Sequence, residues 1–290
     1  MQHDYLTRLT QRIRSGMGPA VVGLDPRLDA LPDAVASGET PARRIAAFYR
    51  AVMPSLAQRV PAVKPNIAFF ERYGAEGYAA YEETCHLAGE LGLVVIGDIK
   101  RGDIGSTAAA YAEGHFALAD AVTVHPYLGT DSLDPFLVHC RDHGKGIFVL
   151  VRTSNPSSAE LQTLNCEDRS LSEVVADRVA GWAADLPVVD GYSPVGAVVG
   201  ATHPDVIAGM RERMPNAWLL LPGVGAQGAT AADCAAAFDG QGLGAVINSS
   251  RGIMQCFEPS AEDWLQQIEQ AATQFAAEVA DAAGLIGGTT

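Results

Sequence analysis

The stretch Val94-Val95-Ile96-Gly97-Asp98-Ile99-Lys100-Arg101-Gly102-Asp103-Ile104-Gly105-Ser106-Thr107 decides the reading of this chain. Its first three residues are β-branched and apolar, as in a buried strand. They run directly into Asp98, Lys100 and Asp103. Residues two apart on a strand share a face, so Asp98 and Lys100 are expected side by side where the strand ends. Asp103 falls on the turn into the next helix. Ionised groups beside an apolar strand are costly unless paired, and such a concentration marks a candidate site.

The same motif, an apolar strand closed by polar residues, repeats on both sides of this stretch. Ala20–Leu24 ends at Asp25-Pro26-Arg27, and Ala62-Val63 runs into Lys64-Pro65-Asn66. Ala121–Val124 ends at His125, and Ile147–Val151 at Arg152-Thr153-Ser154-Asn155. Val198-Val199 ends at Gly200-Ala201-Thr202, Trp218–Leu221 at Pro222-Gly223-Val224-Gly225-Ala226-Gln227-Gly228, and Ala245–Ile247 at Asn248-Ser249-Ser250-Arg251-Gly252. Helical patterns lie between them. Thr40-Pro41 opens one with the stripe Ile45, Phe48, Val52 and Leu56. Others cover Tyr73 to Leu91, Gly105 to Leu118, Ser132 to Arg141 and Ala261 to Ala283, and Ser170 to Glu173 has the form of a capping box.

Eight strands alternating with helices predict an α/β protein of the (β/α)8 TIM-barrel type. One domain over residues 1–290 is expected, with an N-terminal helix at about 4–15 and a frayed tail at 284–290. A doubly wound open sheet would place its chemistry at one switch point. Here polar residues close almost every strand, which favours the barrel's C-terminal face.

Composition narrows the function classes. The net charge of −14 argues against a general nucleic-acid binder. The N-terminus lacks the apolar core of a signal peptide, and no run approaches the ~20 apolar residues of a membrane span. Five scattered cysteines without a Cys-x-x-Cys pair suggest reduced thiols and a cytoplasmic protein.

Two clusters carry the chemistry. The glycine-rich turn 222–228 and Ser250-Arg251-Gly252 follow the last two strands, where many barrels hold phosphate. Glycine lets backbone N–H groups approach an anion closely. Lys64, Asp98 and Lys100 end neighbouring strands, so an alternating Lys–Asp–Lys row is expected. Bland readings stand beside these. Asp103 has the spacing of a helix N-cap before Thr107. Asp25 either turns the chain with Pro26 or accepts from a sugar hydroxyl, and His125 reads as a satisfied histidine at the barrel mouth. Mg²⁺ on Asp25, Asp98 and Asp103 is the rival, disfavoured by two ammonium groups among the ligands. No zinc site is assigned, although two of the seven histidines, His139 and His143, stand four apart, and no cofactor motif is evident.

The run Asp98-Ile99-Lys100-Arg101-Gly102-Asp103-Ile104, with Lys64 before it and 222–228 and 250–252 after it, resembles orotidine 5′-phosphate decarboxylases, in particular their longer bacterial subfamily. The resemblance implies a cofactor-free, metal-free decarboxylase converting orotidine 5′-monophosphate to uridine 5′-monophosphate. It assigns Lys100 to stabilising and protonating C6, Asp98 to the departing carboxylate, and Lys64 and Asp25 to ribose hydroxyls. It assigns Ser154 to the pyrimidine edge, and Gln227, Ser250 and Arg251 to the phosphate. Asp103, Ile104 and Thr107 would enter the partner's site across a homodimer. A magnesium-dependent sugar-phosphate decarboxylase or aldolase on the same barrel, and a non-catalytic phosphate-binding barrel, are the alternatives.

Overall fold

The computed structural model describes residues 4–35, 38–225 and 228–286. Eight strands form the barrel: β1 (Ala20–Leu24), β2 (Ala62–Pro65), β3 (Val94–Arg101), β4 (Ala121–Val124), β5 (Gly146–Arg152), β6 (Ser193–Val199), β7 (Ala217–Pro222) and β8 (Ala245–Ser249). Each pairs in parallel with its sequence neighbour, and β8 pairs with β1 to close the barrel. Parallel strands covered by helices are buried on both faces, which is why these segments read as continuous apolar runs.

Alternation along each strand separates two cores. Val22, Leu24, Val63, Val95 and Ile247 face the helices, while Val21, Ala62, Val94, Ile96, Phe148, Trp218 and Val246 fill the barrel. The N-terminal helix Tyr5–Arg12 completes the inner core from below, with Tyr5, Leu6, Leu9 and Ile13 packed against it. Burial of each such side chain contributes roughly 1.5–3 kcal/mol. Asp4 starts the helix by accepting from the Thr7 N–H at 2.9 Å, and Arg8 ties it to Asp120 at 2.7 Å. This helix stops the barrel's lower end, so the upper mouth is left for a ligand.

Several boundaries differ from expectation. β6 begins at Ser193, well before Val198. Pro194 and Gly196 hide the strand in the sequence, and the pairing with β7 skips between Ser193 and Ala197, as a residue without an N–H requires. Helices Ala68–Glu71 and Pro204–Arg213 have no counterpart in the sequence reading. The long polar segment 155–168 holds a short 3₁₀ turn, a helical turn Ala159–Gln162, and the first strand of a hairpin pairing 165–166 with 169–170. The capping box forms: Ser170 accepts from the Glu173 N–H, and Glu173 accepts from the Ser170 N–H at 2.7 Å. Thr40 sits at an N-cap without a side-chain bond, so Pro41 alone marks that start. The last helix runs Trp264–Ala282, and just past it the Leu285 N–H donates to the Ala280 carbonyl at 2.8 Å. Residues 287–290 lie outside the described residues.

Candidate active site

The barrel's C-terminal mouth gathers the charges. Asp98 and Lys64 are both almost wholly buried. Lys64 Nζ donates to Asp98 Oδ2 at 2.6 Å, and Lys100 Nζ donates to Oδ1 of the same carboxylate at 2.5 Å. Thr123, on β4, donates to Oδ1 at 3.1 Å while its oxygen accepts the N–H groups of Ile99 and Lys100, each at 3.0 Å. The carboxylate therefore holds two cations and a hydroxyl, the satisfaction a buried charge requires.

Burial alone would raise the Asp98 carboxyl, but Lys64 and Lys100 overcome it and hold the group well below the usual carboxylate range. Burial alone would likewise discharge Lys64. Asp98 and Asp25 outweigh that penalty, and its ammonium is held above its ordinary pKa. Both groups stay ionised at neutral pH, in a low-dielectric setting where fixed charge acts strongly.

Lys100 meets Asp98 by a route that strand alternation does not supply. Its backbone lies at φ 45°, in the left-handed region, and the pairing of β3 with β4 shifts register between Gly97 and Arg101. A non-glycine residue there costs of order 1–3 kcal/mol and persists where the surroundings over-determine it. Thr123 supplies part of that determination by holding the Lys100 N–H.

A cavity of about 460 Å³ opens over this row, lined by Lys64, Asp98, Lys100, Thr123, Ser154 and Gln162 among others. Ser154 thus faces the row from the end of β5. A second cavity of about 470 Å³ lies at the opposite end, around Arg8, Asp120 and Lys145. There Arg8 pairs with Asp120, and Lys145 donates to the Ala119 carbonyl.

Asp25 follows β1 and keeps Oδ1 buried without a hydrogen-bond partner, close enough to Lys64 to raise its pKa. Beside it, a Cβ on Gly23 would come within 1.9 Å of Ser250 Oγ. Glycine at 23 is what lets the Ser250 turn pack into the mouth. Ser250 precedes a single helical turn, Arg251–Met254. After β7, Gly223, Gly225 and Gly228 all adopt positive φ, and Gly228 donates back to the Gly225 carbonyl at 2.9 Å. This tight turn is accessible because these residues lack Cβ atoms. Gln227 lies outside the described residues.

Asp103 is not the helix N-cap. Ile104 occupies that position, and Asp103 Oδ1 accepts from the Ile104 N–H at 2.7 Å. Within this chain Asp103, Ile104 and Thr107 do not join the Lys64–Asp98–Lys100 row by any hydrogen bond among the described residues. Ile104 and Thr107 point outward and are exposed. The His125 ring packs over Gly102, where a Cβ would come within 2.2 Å of Nε2. Among the described residues, no three His, Cys, Asp or Glu side chains cluster as metal ligands, and no helix is long and apolar enough to cross a membrane.

The sequence assigned no site role to Thr123 or Gln162, nor to Arg152 and Asn248, which it marked only as polar strand ends. Thr123 and Asn248 lie on the inward face of β4 and β8, in the layer above Ala121 and Val246, so alternation was the available signal. Gln162 offered none, since only the fold of 155–170 brings it back to the strand end.

Such a mouth defines a class: a (β/α)8 enzyme organised around ammonium groups fixed on a buried carboxylate. Comparison with known proteins makes the assignment particular. The sequence model described as the orotidine 5′-phosphate decarboxylase / HUMPS family matches residues 41–262. A relative from Rhodopirellula baltica named orotidine 5′-phosphate decarboxylase is 43% identical, the match covering 86% of this chain and 88% of that one. One of the same name from Deinococcus radiodurans is 43% identical over 87% and 90%. The structure of Leishmania donovani OMP decarboxylase superposes with a TM-score of 0.79 at 35% identity, covering 97% of this chain and 99% of that chain. The chain belongs to the orotidine 5′-phosphate decarboxylase family.

Proposed function

We propose that the Lys64–Asp98–Lys100 row performs the decarboxylation of orotidine 5′-monophosphate to uridine 5′-monophosphate and CO₂. The observation that carries this reading is a single buried carboxylate gripped on both oxygens by lysines. Loss of CO₂ from the sp² carbon C6 leaves an electron pair with no adjacent sink. An ammonium fixed nearby stabilises that charge as it develops and then gives up a proton to the carbon. Lys100 is suited to this: both lysines line the cavity, but Lys100 is half exposed while Lys64 is almost wholly buried. Asp98 would lie against the departing carboxylate. Two carboxylates about 4 Å apart repel by roughly 4 kcal/mol at an effective dielectric of about 20. Enzymes lower barriers by about 8–23 kcal/mol, so the larger share falls to Lys100 and to orientation by the bound phosphate.

Asp25, with an unpartnered buried oxygen beside Lys64, would accept from a ribose hydroxyl. Ser154 would read the pyrimidine edge, and Gln227, Ser250 and Arg251 would hold the phosphate. A divalent cation at Asp98 would have to displace both ammonium groups, which disfavours the magnesium-dependent alternative.

The molecule works as a cytoplasmic homodimer in this reading. Ile104, Tyr127 and Leu128 leave large apolar area exposed, 57%, 84% and 44% respectively. Exposed apolar surface of this kind suits a second copy, whose site Asp103, Ile104 and Thr107 would then enter. The direct test is to incubate the protein with orotidine 5′-monophosphate, with and without a chelator, and follow loss of the pyrimidine absorbance. Chelator-insensitive turnover is expected. Loss of activity on chelation would favour the metal-dependent chemistry, and no turnover would favour a binding protein.

A further inference from the structure

Arg152 closes β5 and is 7% exposed. Its Nη1 donates to Ser158 Oγ at 2.5 Å and to Gln162 Oε1 at 3.2 Å. The same Gln162 oxygen accepts the Thr153 N–H at 2.8 Å, and Gln162 Nε2 donates to Thr153 Oγ1 at 2.8 Å. Thr153 in turn donates to Asn155 Oδ1 at 2.6 Å. The chain of bonds has one direction. Two donors converge on Oε1, so the amide cannot flip without opposing N–H to N–H. The Thr153 hydroxyl must then accept from Gln162, and its only proton goes to Asn155. Asn155 consequently turns its amide oxygen inward and keeps its nitrogen as its remaining polar group. Ser154 sits between Thr153 and Asn155, and backbone and Cβ atoms of Ser154 would lie 3.0 Å from a Cβ on Gly200, so the segment is fixed from behind as well. Thr153, Ser154, Asn155 and Gln162 all line the cavity above Lys100.

We propose that Gln162 is a positioning residue that sets the pyrimidine-reading segment Thr153–Asn155, and through it determines recognition of the base and not of the ribosyl phosphate. This rests on the function proposed above, which puts the pyrimidine against Ser154. It also makes the 155–170 segment a braced wall of the site: Arg152, the Gln162 amide and the Ser170 capping box tie it down along its length.

The test uses the full chain and three substitutions. Gln162→Ala removes the amide, Gln162→Met keeps its bulk without its hydrogen bonds, and Gln162→Glu keeps the acceptor for Thr153 N–H and Arg152. Binding of uridine 5′-monophosphate and of ribose 5-phosphate, which lacks a base, is measured by calorimetry beside kcat/KM for orotidine 5′-monophosphate. Gln162→Ala and Gln162→Met are expected to weaken uridine 5′-monophosphate at least tenfold while leaving ribose 5-phosphate within twofold. Gln162→Glu is expected to retain more base affinity than either. Equal weakening of both ligands, or no weakening of either, would overturn the proposal. If the unsubstituted protein bound neither ligand, the functional reading itself would fall. Should Gln162→Ala prove unfolded, Gln162→Met and Gln162→Glu carry the comparison.

Discussion

Lys100 bonds the carboxylate of Asp98, two residues back along the chain, from a backbone held at φ 45°. Regular alternation would have brought the two side chains to one face without strain. The strand instead breaks register here and presents the ammonium from a conformation that few L-residues adopt. Thr123 bonds both partners and holds the arrangement.

Removing the anion should expose how much the row depends on it. Asp98→Asn leaves Lys64, a buried cation, without its hydrogen-bonded counter-ion. Breaking a buried pair by deleting one partner costs about 3–5 kcal/mol. Urea denaturation of Asp98→Asn should show a midpoint lowered by a corresponding amount with an unchanged slope, and decarboxylation should be lost with it.

Gly23→Ala tests the mouth from the other side. The new Cβ would come within 1.9 Å of Ser250 Oγ, so the turn carrying Ser250 and Arg251 must move. KM for the nucleotide is expected to rise on the order of tenfold, about 1.4 kcal/mol of lost binding, with kcat reduced less. Steady-state kinetics at fixed pH separate the two.

Stability should fall on acidification before the ionic row is affected. His115 is buried, keeps Nδ1 unpartnered, and is pushed down to about 4 by burial and then by Arg101. Its unfolded form takes up a proton as pH falls through 6.5, whereas the folded form resists until about 4, so stability declines across that window. Asp98 acts lower. Its depressed pKa adds stability that is present above the unfolded value and lost as pH falls toward the folded one. Lys64, with a raised pKa, adds stability present below its unfolded pKa and lost only as pH rises through the folded one. His115→Phe keeps the stacking on Tyr111 and should flatten the loss between pH 6.5 and 4 in thermal melts.

The proposed shared site places Asp103 in the partner's mouth and can be tested by complementation. Lys100→Ala and Asp103→Ala should each be nearly inactive alone. After unfolding and reassociation as a mixture, activity should return, because one site of each heterodimer keeps both groups. Heterodimers that form without recovering activity would place Asp103 in its own subunit's site.

Strand periodicity made the barrel legible, because parallel strands buried on both faces are apolar throughout, and their polar ends pointed to one face. Lys64, Asp98 and Lys100 were legible for the same reason, being charges that end apolar strands. Beyond these, legibility failed where backbone geometry or distant packing decides. The left-handed turn at Lys100 leaves no mark in composition, and Pro194 and Gly196 masked half of β6. Gln162 approaches Thr153 only because the turns at 156–162 fold back on the strand end. Asp103 looked like a cap by spacing, but the chain gives that position to Ile104.

The most direct test of the account is turnover of orotidine 5′-monophosphate by Lys100→Ala beside the unsubstituted protein, with binding of uridine 5′-monophosphate measured on both. Losing a fixed charge and a proton donor together should lower kcat by at least about 10³-fold, while the product still binds within about tenfold. A Lys100→Ala variant that keeps kcat within tenfold of the unsubstituted protein would contradict the claim that this ammonium carries the chemistry.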